Sequence, residues 1–359
     1  MTWPDRRIQD LFGIELPILL APMAGAASSE LAIAVAGAGG LGALACAMLD
    51  TEQIRQQVDV IRRSTRRPLN LNFVCHSPAK PDPEREKAWK ERLEPYYREL
   101  GLDPDAPTPK AERRPFDATT AELVVKCRPE VVSFHFGLPS NDLLSRVKAT
   151  GAKVLSTATT VEEALWLERR GCDAIIAQGV EAGGHRGMFL SRDPSTQLGT
   201  MALVPQVVDA VMVPVIAAGG IADGRGIAAA FALGAAGVQL GTAYLRCPEA
   251  TLSAPHRQAL TVYKDDQTTL TNVFTGRPAR SIVNRLVREV GPLSSLVPEF
   301  PLAAGALAPL RARAEESGSA DFSPLWAGEA FRLARELPAA ELTRRLAQEA
   351  LGRMRAFSL

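Results

Sequence analysis

Eight short, continuous apolar runs recur along this chain, and most are followed by a segment of helical character: PILLAPM (17–23), LGALACA (41–47), LNLNFVC (69–75), VVSFHFG (131–137), KVLSTAT (153–159), AIIAQG (174–179), PVIAAGG (214–220) and GVQLGT (237–242). Because the apolar residues are continuous and not alternating, these runs suit strands covered on both faces, which is the situation of a parallel sheet. The intervening segments carry helix starts, with Thr51 opening TEQIRQQVDVIRR and with Thr159 and Thr160 standing three residues before Glu162 and Glu163, a capping-box spacing. Eight strand–helix units at a spacing of about 20–28 residues fit a closed (β/α)8 TIM barrel of the α/β class. An open doubly wound sheet is the competing arrangement, but the glycine-rich dinucleotide turn expected after its first strand is missing.

Two segments break the repeat. Residues 76–130 are rich in Pro, Lys and Glu and contain the charged helical stretch EREKAWKERLEPYYREL, and residues 248–325 follow the eighth run. The expected organisation is a barrel over 1–247 with an insertion at 76–130, a mainly helical cap or substrate region over 248–325, and C-terminal helices over 326–359 packing back on the barrel. Both extra segments leave from carboxyl ends of strands, where barrel active sites form.

Charge narrows the partner. The 359 residues carry 41 basic against 40 acidic side chains, a net +1 with no long basic run, so the footprint of a nucleic-acid or anionic-membrane binder is missing and a small molecule is expected. Residues 31–49 are uncharged, yet glycines at 37, 39, 40 and 42 divide them into a helix, a turn and a buried strand instead of a membrane span. Five scattered cysteines, Cys46, Cys75, Cys127, Cys172 and Cys247, form no CxxC pair. They are expected to be buried small hydrophobes, and with no apolar leader at the start they fit a reducing cytoplasm. No metal-ligand cluster is expected.

Polar residues at the ends of buried strands are costly unless partnered, by about 1–3 kcal/mol, so they carry information. Asn70 and Asn72 share a face, and an amide at the carboxyl end offers both donor and acceptor to a heterocycle, or satisfies loop backbone. Ser133, His135 and Gly137 share the next strand's inner face, with Phe134 and Phe136 expected toward the helices; a lone strand histidine is more often a satisfied core residue than a catalyst. AQGVEAGGHRG (177–187) is denser: Gln178 ends a strand, and Gly183 and Gly184 precede His185 and Arg186, an acid–base loop of small footprint. Gly219, Gly220, Gly241 and Thr242 close the last two strands, where barrels usually hold a phosphate.

Taken in order, APMAG, NLNFVCH, VSFHFG, AQGVEAGGHRG, IAAGGIADGRG, VQLGTAY and TGRPAR, spanning Pro17 to Arg280, resemble the nitronate monooxygenases, in particular the bacterial class I branch. The resemblance implies an FMN-dependent barrel that oxidises alkyl nitronates, notably propionate 3-nitronate, with dioxygen, releasing nitrite and a carbonyl compound. It implies that Pro22, Met23 and Ala24 pass beside the isoalloxazine, that Asn72 and Gln178 hold its polar edge, and that Gly183, Gly220, Gln239, Leu240, Gly241 and Thr242 bind ribityl and phosphate. His185 matches the family's catalytic histidine and His135 its second histidine, with Phe300 and Ala304 in the substrate pocket. In the cap, Phe300, Ala304 and Ala308 stand where such enzymes carry tyrosines and a lysine. The expectation is therefore that simple alkyl nitronates are accepted at least as readily as the carboxylated one, unless Arg311 or Arg313 reaches in. An IMP-dehydrogenase-like barrel would use the same glycines but needs a loop cysteine nucleophile, and a flavin-binding barrel without turnover would not need His185.

Overall fold

The computed structural model of the chain describes residues 2–262 and 267–357. Its centre is a parallel barrel of eight strands: β1 (Ile18–Leu20), β2 (Gly42–Ala45), β3 (Leu69–Val74), β4 (Val131–His135), β5 (Lys153–Ala158), β6 (Ala174–Gln178), β7 (Val215–Ala218) and β8 (Gly237–Leu240). β1 pairs with β8, Leu19 opposite Gln239, and closes on β2 where Leu41 N–H donates to the Ile18 carbonyl and Leu20 N–H to the Leu41 carbonyl, each at 3.0 Å. Closure leaves no sheet edge to protect.

Strand alternation sorts the barrel into two apolar layers. Outward residues such as Ile18, Leu71, Phe73, Val132, Phe134, Val154, Ile175 and Val238 pack against the helices. Inward residues Leu19, Val131, Leu155, Ile176 and Ile216 fill the lower barrel, and the helix Arg7–Phe12 seals that end with Ile8 and Phe12. Helix starts follow the side chains that satisfy them. Asp50 and Gln53 form a reciprocal capping box before Thr51–Ser64; Thr160 caps Val161–Arg169, while Glu163 Oε2 accepts the Thr159 N–H and hydroxyl, both at 2.7 Å.

Residues 31–49 fold as the end of the helix Ser29–Gly37, a glycine turn and β2. Among the described residues no helix is long and apolar enough to cross a membrane.

After β8 the chain leaves the barrel and supplies its eighth outer helix only at the end, where Ala339–Phe357 packs against both Gly224–Ala232 and Ser29–Gly37. The tail is less helical than expected. Trp326 instead bridges to Ser281, and Phe331–Leu333 is a single 3-10 turn, because this stretch passes over the barrel mouth and pairs its backbone with the cap.

The two extra segments share one core. Trp89, Leu93, Tyr96 and Tyr97, from the helix Pro83–Glu99 of the insertion, pack with Phe274, Leu286, Leu307, Leu310 and Phe322 of the later segment. Trp89 Nε1 and Tyr97 OH donate to the carbonyls of Ala303 and Ala306 on the helix Ala303–Glu316. Over them runs a small antiparallel sheet of β9 (Thr268–Thr271), β10 (Ala279–Ile282) and the two residues Gly184–His185, with Ala279 opposite His185. The lid is thereby stitched directly to the loop that carries His185.

Candidate active site

At the carboxyl ends of the strands the inward positions turn polar: Asn72, His135, Thr157, Gln178 and Gln239 ring the floor of a cavity of about 770 Å³ between barrel and lid. That volume suits a cofactor-sized ligand. Pro22, Met23, Ala24, Gly183, His185, Gly220, Gly241, Thr242, Phe300 and Ala304 also line it. Leu240 does not. Alternation along β8 turns its side chain outward into the helix-facing core, leaving only its backbone, whose carbonyl accepts the Ala21 N–H at 2.8 Å.

His185 is held from three sides. Its backbone pairs with β10, and its carbonyl accepts both Gln178 Nε2 at 3.1 Å and His135 Nε2 at 3.2 Å. Its ring packs among Phe136, Phe300 and Trp326, with centroids 5.3–6.1 Å away, and Nε2 lies 2.9 Å from Thr275 Oγ1. Nε2 is thereby engaged by the Thr275 hydroxyl, while Nδ1 has no protein partner among the described residues. Burial, then the neighbouring His135 and the Arg277 and Arg113 guanidinium groups, push the His185 pKa down to about 3. At neutral pH it is a neutral imidazole, the form able to take a proton.

The second histidine is differently placed. His135 donates from Nε2 to a carbonyl, which can only accept, so its Nδ1 must accept the Thr157 hydroxyl at 3.1 Å. Both ring nitrogens are thereby engaged, one of them by the His185 carbonyl. Gln178 is spent in the same way, with Oε1 accepting the Gly187 N–H at 2.8 Å. Asn72 donates its amide to Ser133, 3.0 Å from Oγ, and keeps Oδ1 free for a ligand. Phe136 departs from the expected pattern. Its φ of 69° breaks the alternation of β4 and swings the ring into the cavity, under the Arg277 guanidinium at 3.8 Å.

The residues fit FMN on two observations. Buried Gln239 Oε1 has no protein partner and, as an acceptor, suits a ring N–H, while among the described residues the N–H groups of Gly220, Gly241 and Thr242 donate to no protein acceptor and suit a phosphate. The nearby helix starts are occupied by carboxylates: Glu181 takes the Thr200 N–H at 2.9 Å, and Asp223 takes the Arg225 N–H at 2.9 Å. A bound anion is thereby confined to the free N–H groups after β7 and β8.

A sequence profile of the nitronate monooxygenase family matches residues 5–349. The chain belongs to the nitronate monooxygenase family. It is 42% identical to a nitronate monooxygenase of Pseudomonas aeruginosa over 348 residues, covering 96% of this chain and 99% of that protein. It is also 42% identical to one of Paraburkholderia phytofirmans over 347 residues, covering 96% and 94%. Among solved structures, a nitroalkane oxidase from Streptomyces ansochromogenes superposes with a TM-score of 0.88 at 39% identity, covering 98% of this chain and 99% of that one. FabK from Thermotoga maritima superposes at 0.76 with 28% identity, covering 99% of each chain.

In this member of the nitronate monooxygenase family several site groups lie outside the expected set. Arg186 is fully buried and donates to the Gln178 and Gly179 carbonyls, both at 2.6 Å. Burial lowers its pKa to about 9. Arg277 donates to the Met188 carbonyl. Glu163 Oε1 accepts the Phe189 and Leu190 N–H groups at 2.6 and 3.1 Å. These three brace the loop after His185 from below. Arg186 had a visible signal, a charge inside a glycine-rich turn; Arg277 and the bonds of Glu163 to Phe189 and Leu190 had none, since those partners are over 25 residues away.

The saturated ring of His135 leads to a test. Replacing His135 with Ala is expected to reduce kcat about ten- to a hundredfold through misplacement of His185, with the pH profile unmoved and with partial rescue by Gln, whose amide can donate to the same carbonyl. A displaced acidic limb in the pH profile would show that His135 itself exchanges the proton.

Proposed function

We propose that this chain oxidises alkyl nitronates with FMN and dioxygen, giving a carbonyl compound and nitrite. The observation that carries the reading is neutral His185 with a free Nδ1 in an aromatic-walled cavity, beside unpaired backbone N–H groups suited to one phosphate. Membership of the nitronate monooxygenase family supports the same reaction. Bound FMN would supply the redox chemistry toward dioxygen. Its phosphate would be held by Gly220, Gly241 and Thr242, and its polar ring edge would face Asn72 Oδ1 and Gln239.

His185 would orient the nitronate by hydrogen bonding and, when a neutral nitroalkane enters, take the α-proton on Nδ1. Phe136, Phe300 and Trp326 exclude water around it, and Arg277 adds positive potential that favours the anionic substrate. The IMP-dehydrogenase-like alternative loses support because burial raises the thiol pKa of Cys46, Cys75, Cys127, Cys172 and Cys247, which disfavours a thiolate nucleophile. All five are free, in keeping with a cytoplasmic enzyme.

The purified protein is expected to be yellow, to release FMN and not FAD on denaturation, and to consume oxygen and form nitrite with propyl-1-nitronate. A protein that neither carries nor takes up FMN would overturn the cofactor assignment; one that binds FMN without turning over any nitronate would overturn the reaction.

A further inference from the structure

The cap helix Ala303–Glu316 offers the cavity Ala304, Leu307 and Ala308, and its one cavity-lining cation is already neutralised. Arg311 pairs with Glu315 at 2.9 Å, whose same oxygen accepts the Ser323 hydroxyl. Arg313 is exposed and pairs with Glu316 at 3.1 Å. Positive charge arrives from the insertion instead. Its segment 109–113 crosses the cavity mouth and contributes Lys110 and Arg113 to the lining.

That segment is built in, not loosely draped. Gly305 lets it approach the cap helix, since a Cβ there would stand 2.4 Å from the Pro109 carbonyl oxygen. Lys90 Nζ donates to the Ala106 carbonyl at 2.8 Å, and Phe116 N–H donates to the Val74 carbonyl of β3 at 2.8 Å. The buried His76 ring packs edge-on to Phe300 at 4.8 Å.

Arg113 itself is half-buried, and its guanidinium donates only to the neighbouring Glu112 carbonyl, at 2.9 Å. The Glu112 carboxylate turns to Arg114, and no carboxylate among the described residues pairs with Arg113. A guanidinium partly withdrawn from water and left without an anion is costly unless a ligand supplies one. Its fork geometry matches a carboxylate.

We propose that Arg113, with Lys110 at the rim, is the specificity-determining cation of this site and selects nitronates that carry a second, carboxylate charge remote from the reacting carbon. The proposal rests on the nitronate-oxidising function above and reverses the preference for simple nitronates expected from Phe300, Ala304 and Ala308.

The test compares propionate 3-nitronate with propyl-1-nitronate, equal in chain length, on the FMN-loaded wild type and on Arg113→Met, Arg113→Lys and Arg113→Glu. Arg113→Met is expected to lower kcat/KM for the carboxylated substrate about ten- to a hundredfold, the scale of one lost charge-assisted hydrogen bond. The loss should appear in KM, leave propyl-1-nitronate within about twofold, be partly restored by Lys and deepen with Glu. Binding of succinate against butyrate, followed by perturbation of the flavin spectrum, should show the same selectivity without turnover. Equal losses on both substrates, or none on either, overturn the role of Arg113. Absence of turnover with any nitronate in the wild type would instead overturn the proposed reaction, and the succinate and butyrate arm would still decide whether Arg113 reads a carboxylate.

Discussion

Replacing His185 with Asn is expected to leave the cavity and bound FMN intact while slowing oxidation of neutral nitroalkanes about 10²–10⁴-fold, the usual worth of a positioned acid–base group. The loss should be smaller with a preformed nitronate, which needs orientation but no deprotonation. Retained rates on both forms would remove His185 from the chemistry. The pH dependence carries a second sign. Because burial holds the His185 pKa near 3 in place of 6.5, the wild-type kcat/KM for a neutral nitroalkane should not fall as pH drops through 6.5. His76, His135 and His256 are depressed as well, to about 4, 3 and 4, chiefly by burial. Between pH 6.5 and those values the unfolded chain binds protons that the fold does not, so the histidine contribution to stability is complete above about pH 6.5 and is lost progressively on acidification. Acid unfolding followed by circular dichroism checks that direction.

Replacing Gly183 with Ala should be among the most damaging single-methyl changes in the molecule. A Cβ there would lie 2.5 Å from Gly328 N and 2.6 Å from the Ala327 carbonyl carbon, and both are backbone atoms that no rotamer change can move aside. The strand of chain at 327–328 is fixed in turn, since Gly328 N–H donates to Thr242 Oγ1 at 2.9 Å and Glu329 N–H to the Glu181 carbonyl at 3.0 Å. Overpacking of this kind costs about 1–3 kcal/mol. Here the shift would also separate Thr242 from Gly328 and displace His185 two residues along. Lower thermal stability together with weakened FMN retention is the expected result. A variant of unchanged melting temperature and FMN affinity would show that 327–328 yields freely. The absent side chain at Gly183 is therefore required by the returning chain, whatever further part the residue takes in holding the cofactor.

The eight continuous apolar runs, each bounded by small residues and followed by a helical segment, determined the parallel strands, while closure into a barrel was decided by the pairing of β1 with both β8 and β2. Gln178, His185 and the glycines after β7 and β8 were legible for a related reason: polar or unsubstituted positions at the carboxyl end of a buried strand stand out against their neighbours in sequence. Phe136 was misplaced because alternation assumes extended backbone, and its left-handed φ of 69° turns the ring into the cavity. The saturation of His135, the union of insertion and cap in one core, and the arrival of Arg113 at the cavity mouth were set by groups tens to hundreds of residues apart. Which hydrogen bonds a side chain has left to give, and which charge finds no partner, are properties of the assembled neighbourhood; composition and spacing along the chain carry the residues but not their company.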